Sequence, residues 1–218
     1  MNYRHLLAAG FCGLCGLGLS LSVYAEQAAE APAQSAENVH AMDTDAMAQA
    51  MAEFARISMP NEHHERLAES VGTWDVASRF WMAPGMPPQE TTGESVIEPI
   101  LGGRYIQEQY NGTVQMPGME PQPFQGMGVF GYDVAKEQYV GIWTDTMSTA
   151  PMVTAGQYDE STKTITLSCE FDCPMQGPST MKMTHTQVSP NEFIVTGYQT
   201  PQGGEEAKVM ELTYKRRY

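Results

Sequence analysis

From Trp74 onward, apolar and polar side chains alternate with a period of two, broken at short intervals by turn chemistry. Such alternation marks pleated strands whose two faces meet different surroundings. The clearest stretch is Gly126–Ser148, GMGVFGYDVAKEQYVGIWTDTMS. It predicts two strands, Phe124–Tyr132 and Gln138–Met147, joined by a charged turn over Asp133–Glu137. The first strand alternates with glycines. The second carries Tyr139, Gly141, Trp143 and Asp145 on one face and Val140, Ile142 and Thr144 on the other. The same pattern predicts further strands at Thr73–Met82, Glu90–Pro99, Arg104–Val114, Met152–Asp159, Thr164–Phe171, Ser179–Gln187, Glu192–Gln199 and Lys208–Arg216. Breakers separate them, among them Ala83–Pro88, Gly102-Gly103, Pro117-Gly118, Pro174–Pro178 and Pro201–Gly204.

Ten strands are too many for one open sheet with short edges, and closing the sheet removes the edges. The pattern predicts an all-β fold, an antiparallel up-and-down β-barrel of about ten strands with one core-facing side per strand. A β-sandwich is the alternative.

Two short helices precede the barrel. Over Asp45–Ile57, Met47, Met51, Phe54 and Ile57 fall on one helical face. Asp43, Thr44 or Asp45 can cap its start, and Pro60 ends it. A second helix is expected from about Asn61 to Ser70, with Asn61 as N-cap and with Glu62 and Glu65 near its positive end. Its Leu67 and Val71 would face the barrel. Gly72-Thr73-Trp74 then leads into the first strand, an arrangement suited to closing a barrel end; it favours the barrel over the sandwich.

The N-terminal residues read differently. Arg4 and His5 precede an apolar run, Leu6–Leu21, and Ser22-Val23-Tyr24-Ala25 offers small residues before a polar stretch. This is the pattern of a secretory signal peptide over residues 1–25. The run is shorter than the ~20 apolar residues of a membrane span. Residues 26–44 are rich in Ala, Glu, Gln and Ser and read as a disordered tether. Residues 45–72 hold the helices and 73–218 the barrel. The expected location is periplasmic or secreted.

Without residues 1–25 the chain has 11 basic and 26 acidic residues, a net −15. That field argues against nucleic acid and anionic membrane surfaces as partners. No segment after the leader is long and apolar enough for a spanning helix. Nothing in the pattern fixes an oligomeric state.

Several blocks carry a resemblance: HHERLAESVGTWD (His63–Asp75), FWMAPGMPP (Phe80–Pro88), ILGGRYIQE (Ile100–Glu108), PFQGMGVFGYD and YVGIWTDTMST (Pro123–Thr149), and MELTYKR (Met210–Arg216). They fall in order over most of the chain beyond the leader, and together resemble the domain-of-unknown-function family 1579. The resemblance implies a calycin-like barrel, similar to lipocalins and to the nitrobindin haem barrels. It implies no established catalytic residue or ligand. The pair Cys169 and Cys173 is not tied to it.

The strand faces supply a candidate pocket. Trp143 shares a face with Asp145; Arg104, Ile106, Glu108 and Tyr110 share another; Trp74, Val76, Ser78 and Phe80 form the inner face of the first strand, with Arg79 and Trp81 opposite. Trp143, Asp145, Arg104, Glu108, Tyr132 and Phe80 are the candidate ligand-binding residues. An inward Asp145 would need a partner, with Arg104 or Arg79 as the candidates. The solvated rim is the other reading.

Haem is suggested by the related barrels. His185 is the only histidine within a predicted strand, and it shares its face with Met181, Met183 and Gln187. His63 and His64 are adjacent, not four apart as two ligands on one helix would be. Of the sixteen methionines, Met82-x3-Met86, Met116-x2-Met119 and Met181-x-Met183 have spacings suited to Cu(I). Methionine also fills irregular apolar gaps. His185, Met181 and Met183 are thus the metal candidates. Cys169 and Cys173 outside the cytoplasm suggest a disulfide, with free thiols or a metal as the alternatives.

No serine elbow, phosphate loop or H-E-x-x-H occurs. No catalytic residue is assigned, and no cofactor follows from the residues. The expectation is a binding barrel for a small, mostly apolar ligand. An envelope protein binding copper or haem, and an enzyme of unidentified class, are the alternatives.

Overall fold

The structure, a computed structural model, describes residues 43–116 and 118–218. The predicted signal peptide and nearly all of the predicted tether lie outside the described residues. Those described fall into two compact units. One ends at Met47, and its Asp43–Met47 form the first turn of helix α1 (Thr44–Ser58), where Asp43 accepts from the Met47 amide at 2.9 Å. The other, Ala48–Tyr218, holds the rest of α1, helix α2 (Glu62–Ala68) and every strand.

Ten strands follow: β1 (Gly72–Phe80), β2 (Gln89–Ile100), β3 (Tyr105–Val114), β4 (Gln122–Asp133), β5 (Gln138–Asp145), β6 (Met152–Asp159), β7 (Thr164–Cys173), β8 (Gly177–Ser189), β9 (Glu192–Pro201) and β10 (Ala207–Arg216). Each pairs antiparallel with its chain neighbours, and β10 pairs with β1 to close the barrel, Trp74 lying opposite Arg216 and Phe80 opposite Met210. The up-and-down barrel is therefore the architecture, and the sandwich is not.

Boundaries differ where turn chemistry was underestimated. β5 stops at Asp145 because its Oδ1 accepts from the Met147 amide at 2.8 Å, turning the chain. β7 and β8 run longer than expected. Their connection is a tight turn in which the Gln176 amide donates to Cys173 at 3.2 Å and Gly177 takes φ +73°. β3 begins one residue late because Leu101–Gly103 form a short 3-10 turn with Gly102 at φ +67°.

Alternation sends even residues inward on β1, β3, β4, β6 and β10, and odd residues inward on β2, β5, β7, β8 and β9. Trp74, Val76, Ile97, Tyr139, Phe193 and Tyr214 are the most deeply buried apolar side chains of the core. The glycines of β4 have a reason. A Cβ on Gly126 would fall 2.2 Å from the Trp143 ring, and one on Gly128 would fall 2.5 Å from the Phe130 ring. The missing side chains make room for two aromatic rings on the inner wall.

α2 plugs one end. Asn61 caps it, accepting from the His63 amide at 3.2 Å, while His64 Nδ1 accepts from the Asn61 amide at 3.1 Å. Leu67 enters the core. Arg66 donates to the Tyr139 hydroxyl at 2.9 Å, and its guanidinium lies 3.8 Å from the centre of the Tyr158 ring. His63 stacks on Tyr132 with centroids 3.9 Å apart. The first strand is anchored to the plug, as Trp74 Nε1 donates to the Ser70 carbonyl at 2.9 Å. Arg216 of the last strand lies over the Trp74 ring and donates to the Val71 carbonyl at 2.7 Å. The apolar face expected on α1 exists but is exposed; no residue of that helix is buried.

Candidate ligand-binding site

The barrel encloses a cavity of about 360 Å³. It runs from Leu67 and Tyr139 beside the plug to Asp145 and the exposed Met147 at the opposite end, which is its mouth. The wall is overwhelmingly apolar, as alternation requires: aromatic rings from β1, β3, β4, β5, β9 and β10 meet Ile, Leu, Val and Met side chains.

Glu108 is the exception in the middle of that wall. It lies on β3 between Ile106 and Tyr110, all three on the inner face. Only 8% of it is exposed. Ser95 Oγ donates to its Oε1 at 2.7 Å, and the Tyr214 hydroxyl donates to the same oxygen at 2.9 Å. Burial pushes the carboxyl above the usual carboxylate range, and these two hydrogen bonds pull against that shift. Tyr110 shares a hydrogen bond with Ser78 at 3.1 Å; burial pushes its phenol up, and that of Tyr214 well up. Among the described residues, no Lys or Arg lines the cavity.

His185 lines the cavity from β8, beside Met181 and Met183. Its Nε2 is covered and has no hydrogen-bond partner among the described residues. Enclosure lowers its pKa to about 4, so the ring is neutral near pH 7. It meets Phe193 edge-on at 4.5 Å, and Phe193 stacks on Tyr214 at 4.2 Å. Among the described residues, no group of three or more His, Cys, Asp or Glu is placed to hold a metal ion. Met82, Met86, Met116 and Met119 stand exposed in loops at the mouth.

Trp143, Asp145, Glu108 and Phe80 all line the cavity. Asp145 is not paired with an arginine. Its partners are Trp143 Nε1 at 2.9 Å and the Met147 amide. Arg104, expected on the inner wall, is not there: the turn at Leu101–Gly103 takes it off the strand, and it donates to the Ser58 carbonyl at 3.0 Å. Arg79 is outside, paired with Glu90 and Glu211. Tyr132 faces inward but belongs to the plug, beneath His63.

The expected disulfide is absent. Cys169 and Cys173 are free thiols on one strand, opposite Met181 and Gly177. Four residues of extended chain separate their Cα atoms by ~13 Å, beyond the reach of a disulfide. Ser95 and Tyr214 were missed. Both lie on inner faces that alternation defines, but nothing local indicates that they meet Glu108.

The model of the family described as "Protein of unknown function (DUF1579)" matches residues 59–216. The chain belongs to that family. No curated protein matches it. Among solved structures, the S-type phycobiliprotein lyase CPES from Guillardia theta is similar with a TM-score of 0.51 and 16% identity, over 76% of this chain and 97% of that one. Rv2717c from M. tuberculosis is similar with a TM-score of 0.52 and 11% identity, over 73% of this chain and 100% of that one. These likenesses show the fold of this DUF1579 member. Among the described residues, no helix is long and apolar enough to cross a membrane, which says nothing of the strands.

Proposed function

We propose that this DUF1579 barrel is a non-enzymatic carrier of a small, mostly apolar molecule, taken in through the mouth ringed by Phe80, Trp143, Asp145 and Met147. We place its work outside the cytoplasm, on the strength of the leader pattern at residues 1–25. The observation that carries the binding proposal is the cavity itself: about 360 Å³, walled by aromatic and aliphatic side chains, with a few polar groups at defined points. Cavities of ~300–1,000 Å³ with that lining are the usual form of a small-molecule site. A side-chain-filled barrel would have left no such space.

Titration with the neutral dye N-phenyl-1-naphthylamine tests it. The expected result is saturable enhancement at one dye per chain, lost when Val195→Trp fills the cavity in a variant that still melts cooperatively. Native mass spectrometry of protein purified from its own host should show an added small-molecule mass. Absence of dye binding, together with a bare mass, would overturn the proposal.

A further inference from the structure

The walls of this cavity carry charge of one sign only. Its two ionisable acids are Glu108 in the interior and Asp145 at the mouth, and it has no lysine or arginine. Among the described residues no lysine or arginine side chain lines the cavity, and several are engaged elsewhere. Arg79, Lys182, Lys208 and Arg217 pair with acidic partners away from the cavity. Arg66 and Arg216 are held over Tyr158 and Trp74 at the plugged end. His185 is neutral.

Glu108 therefore has hydroxyl partners but no counter-ion. Both hydroxyls bond to Oε1, so Oε2 carries no hydrogen bond from the described residues. An apolar enclosure penalises an unpaired carboxylate heavily, and a cation beside it removes the penalty. The surroundings suit a cation in a second way. Tyr110, Phe124, Phe130, Trp143 and Tyr214 present aromatic rings to the cavity, and ring faces attract cations most strongly where water is excluded. Asp145 and the net charge of −14 draw cations toward the mouth.

Resting on the binding role proposed above, we infer that the ligand is an organic cation, a lipophilic amine or quaternary ammonium, with its charge beside Glu108 and its apolar body against the aromatic wall. An apolar anion such as a fatty acid would find no basic side chain to pair with in this cavity.

The test displaces bound N-phenyl-1-naphthylamine with three compounds of similar shape: phenyltrimethylammonium, tert-butylbenzene and benzenesulfonate. The cation should displace the dye at a concentration roughly 10-fold below that of its neutral isostere, and the anion should not compete. In Glu108→Gln the advantage of the cation over tert-butylbenzene should vanish. A second readout is calorimetry of the unaltered protein in two buffers of different ionisation enthalpy. The titratable groups facing Glu108 are Tyr214 and Tyr110, both held neutral by burial. Below the raised pKa of Glu108, proton release should accompany the cation and not tert-butylbenzene. If the dye binds but the cation has no advantage over tert-butylbenzene, the charge assignment falls and the binding role stands. If none of the probes binds, both fall.

Discussion

Tyr214 reaches across the barrel interior and donates its phenolic hydrogen to Glu108, 106 positions earlier in the chain, at 2.9 Å. The bond ties the last strand to the third through the cavity, and it couples the stability of the fold to one buried acid. In the folded protein the Glu108 pKa is raised, so the folded state holds a proton that the unfolded chain releases. Stability is then full below the ordinary glutamate range and falls as pH rises toward the raised value, by up to ~1.4 kcal/mol per pH unit. Glu108→Gln should flatten this decline. Urea midpoints of both proteins between pH 4 and 9 would show the two curves diverging above about pH 4.5 if the coupling is real.

His185 acts in the opposite sense. Its folded value of about 4 lies below the ordinary 6.5, so stability is full above the ordinary value and is lost as pH falls toward the folded one. The loss expected from this ring is about 3 kcal/mol. His63 and His64 are also lowered by burial and add to the same acid limb. In His185→Leu the acid limb should shrink, as read by thermal melts from pH 7 to 4. An unchanged limb would mean the ring is not kept neutral by enclosure.

Gly126→Ala places a methyl group where the Trp143 ring lies. Overpacking of this kind costs ~1–3 kcal/mol. Trp143 must move to relieve it. Its indole bond to Asp145 should break, with a red shift in tryptophan emission and weaker dye binding. Retained emission and affinity would show that the inner glycines are not space-makers.

Leu67 is the apolar residue that α2 commits to the core. Leu67→Ala should cost ~2–4 kcal/mol in chemical denaturation. It should also raise the dye dissociation rate, because the plug forms the floor of the cavity.

The two thiols should differ. Burial raises the Cys169 pKa, whereas a hydrogen bond involving Gln199 lowers that of Cys173. Iodoacetamide labelling followed by peptide mass spectrometry should modify Cys173 first, since the thiolate is the reactive form. The intact unreduced chain should show no two-dalton deficit from an oxidised Cys169–Cys173 pair.

Much of the fold was legible because a sheet writes its two faces into the chain with a period of two. β5 is the clearest example: Tyr139, Gly141, Trp143 and Asp145 share the inner wall as the pattern required. The glycines of β4 marked the same wall by absence. What was not legible depends on meetings between distant positions or on backbone turns. Arg104 had the right parity for the wall, but Gly102-Gly103 turned the chain just before it. The strand expected over Thr164–Phe171 left Cys173 beyond its end, whereas β7 runs straight through both cysteines. Ser95 and Tyr214 gave no local sign of meeting Glu108, since cross-barrel contacts follow from strand tilt and closure rather than from spacing. In the sequence, His63 is one of two adjacent histidines on a short helix, and Arg66 has no assigned role. Their role emerged only once Tyr132, Tyr139 and Tyr158 came together beneath them.

Arg216 gripping the Val71 carbonyl makes the final strand the clasp of the cylinder. In chain order, the other nine strands precede that clasp. Until then β1 and β9 present bare edges, and the partly built sheet is open to pairing with other chains. A chain without Ala207–Arg216 should therefore give an aggregating product rather than a slightly weakened one.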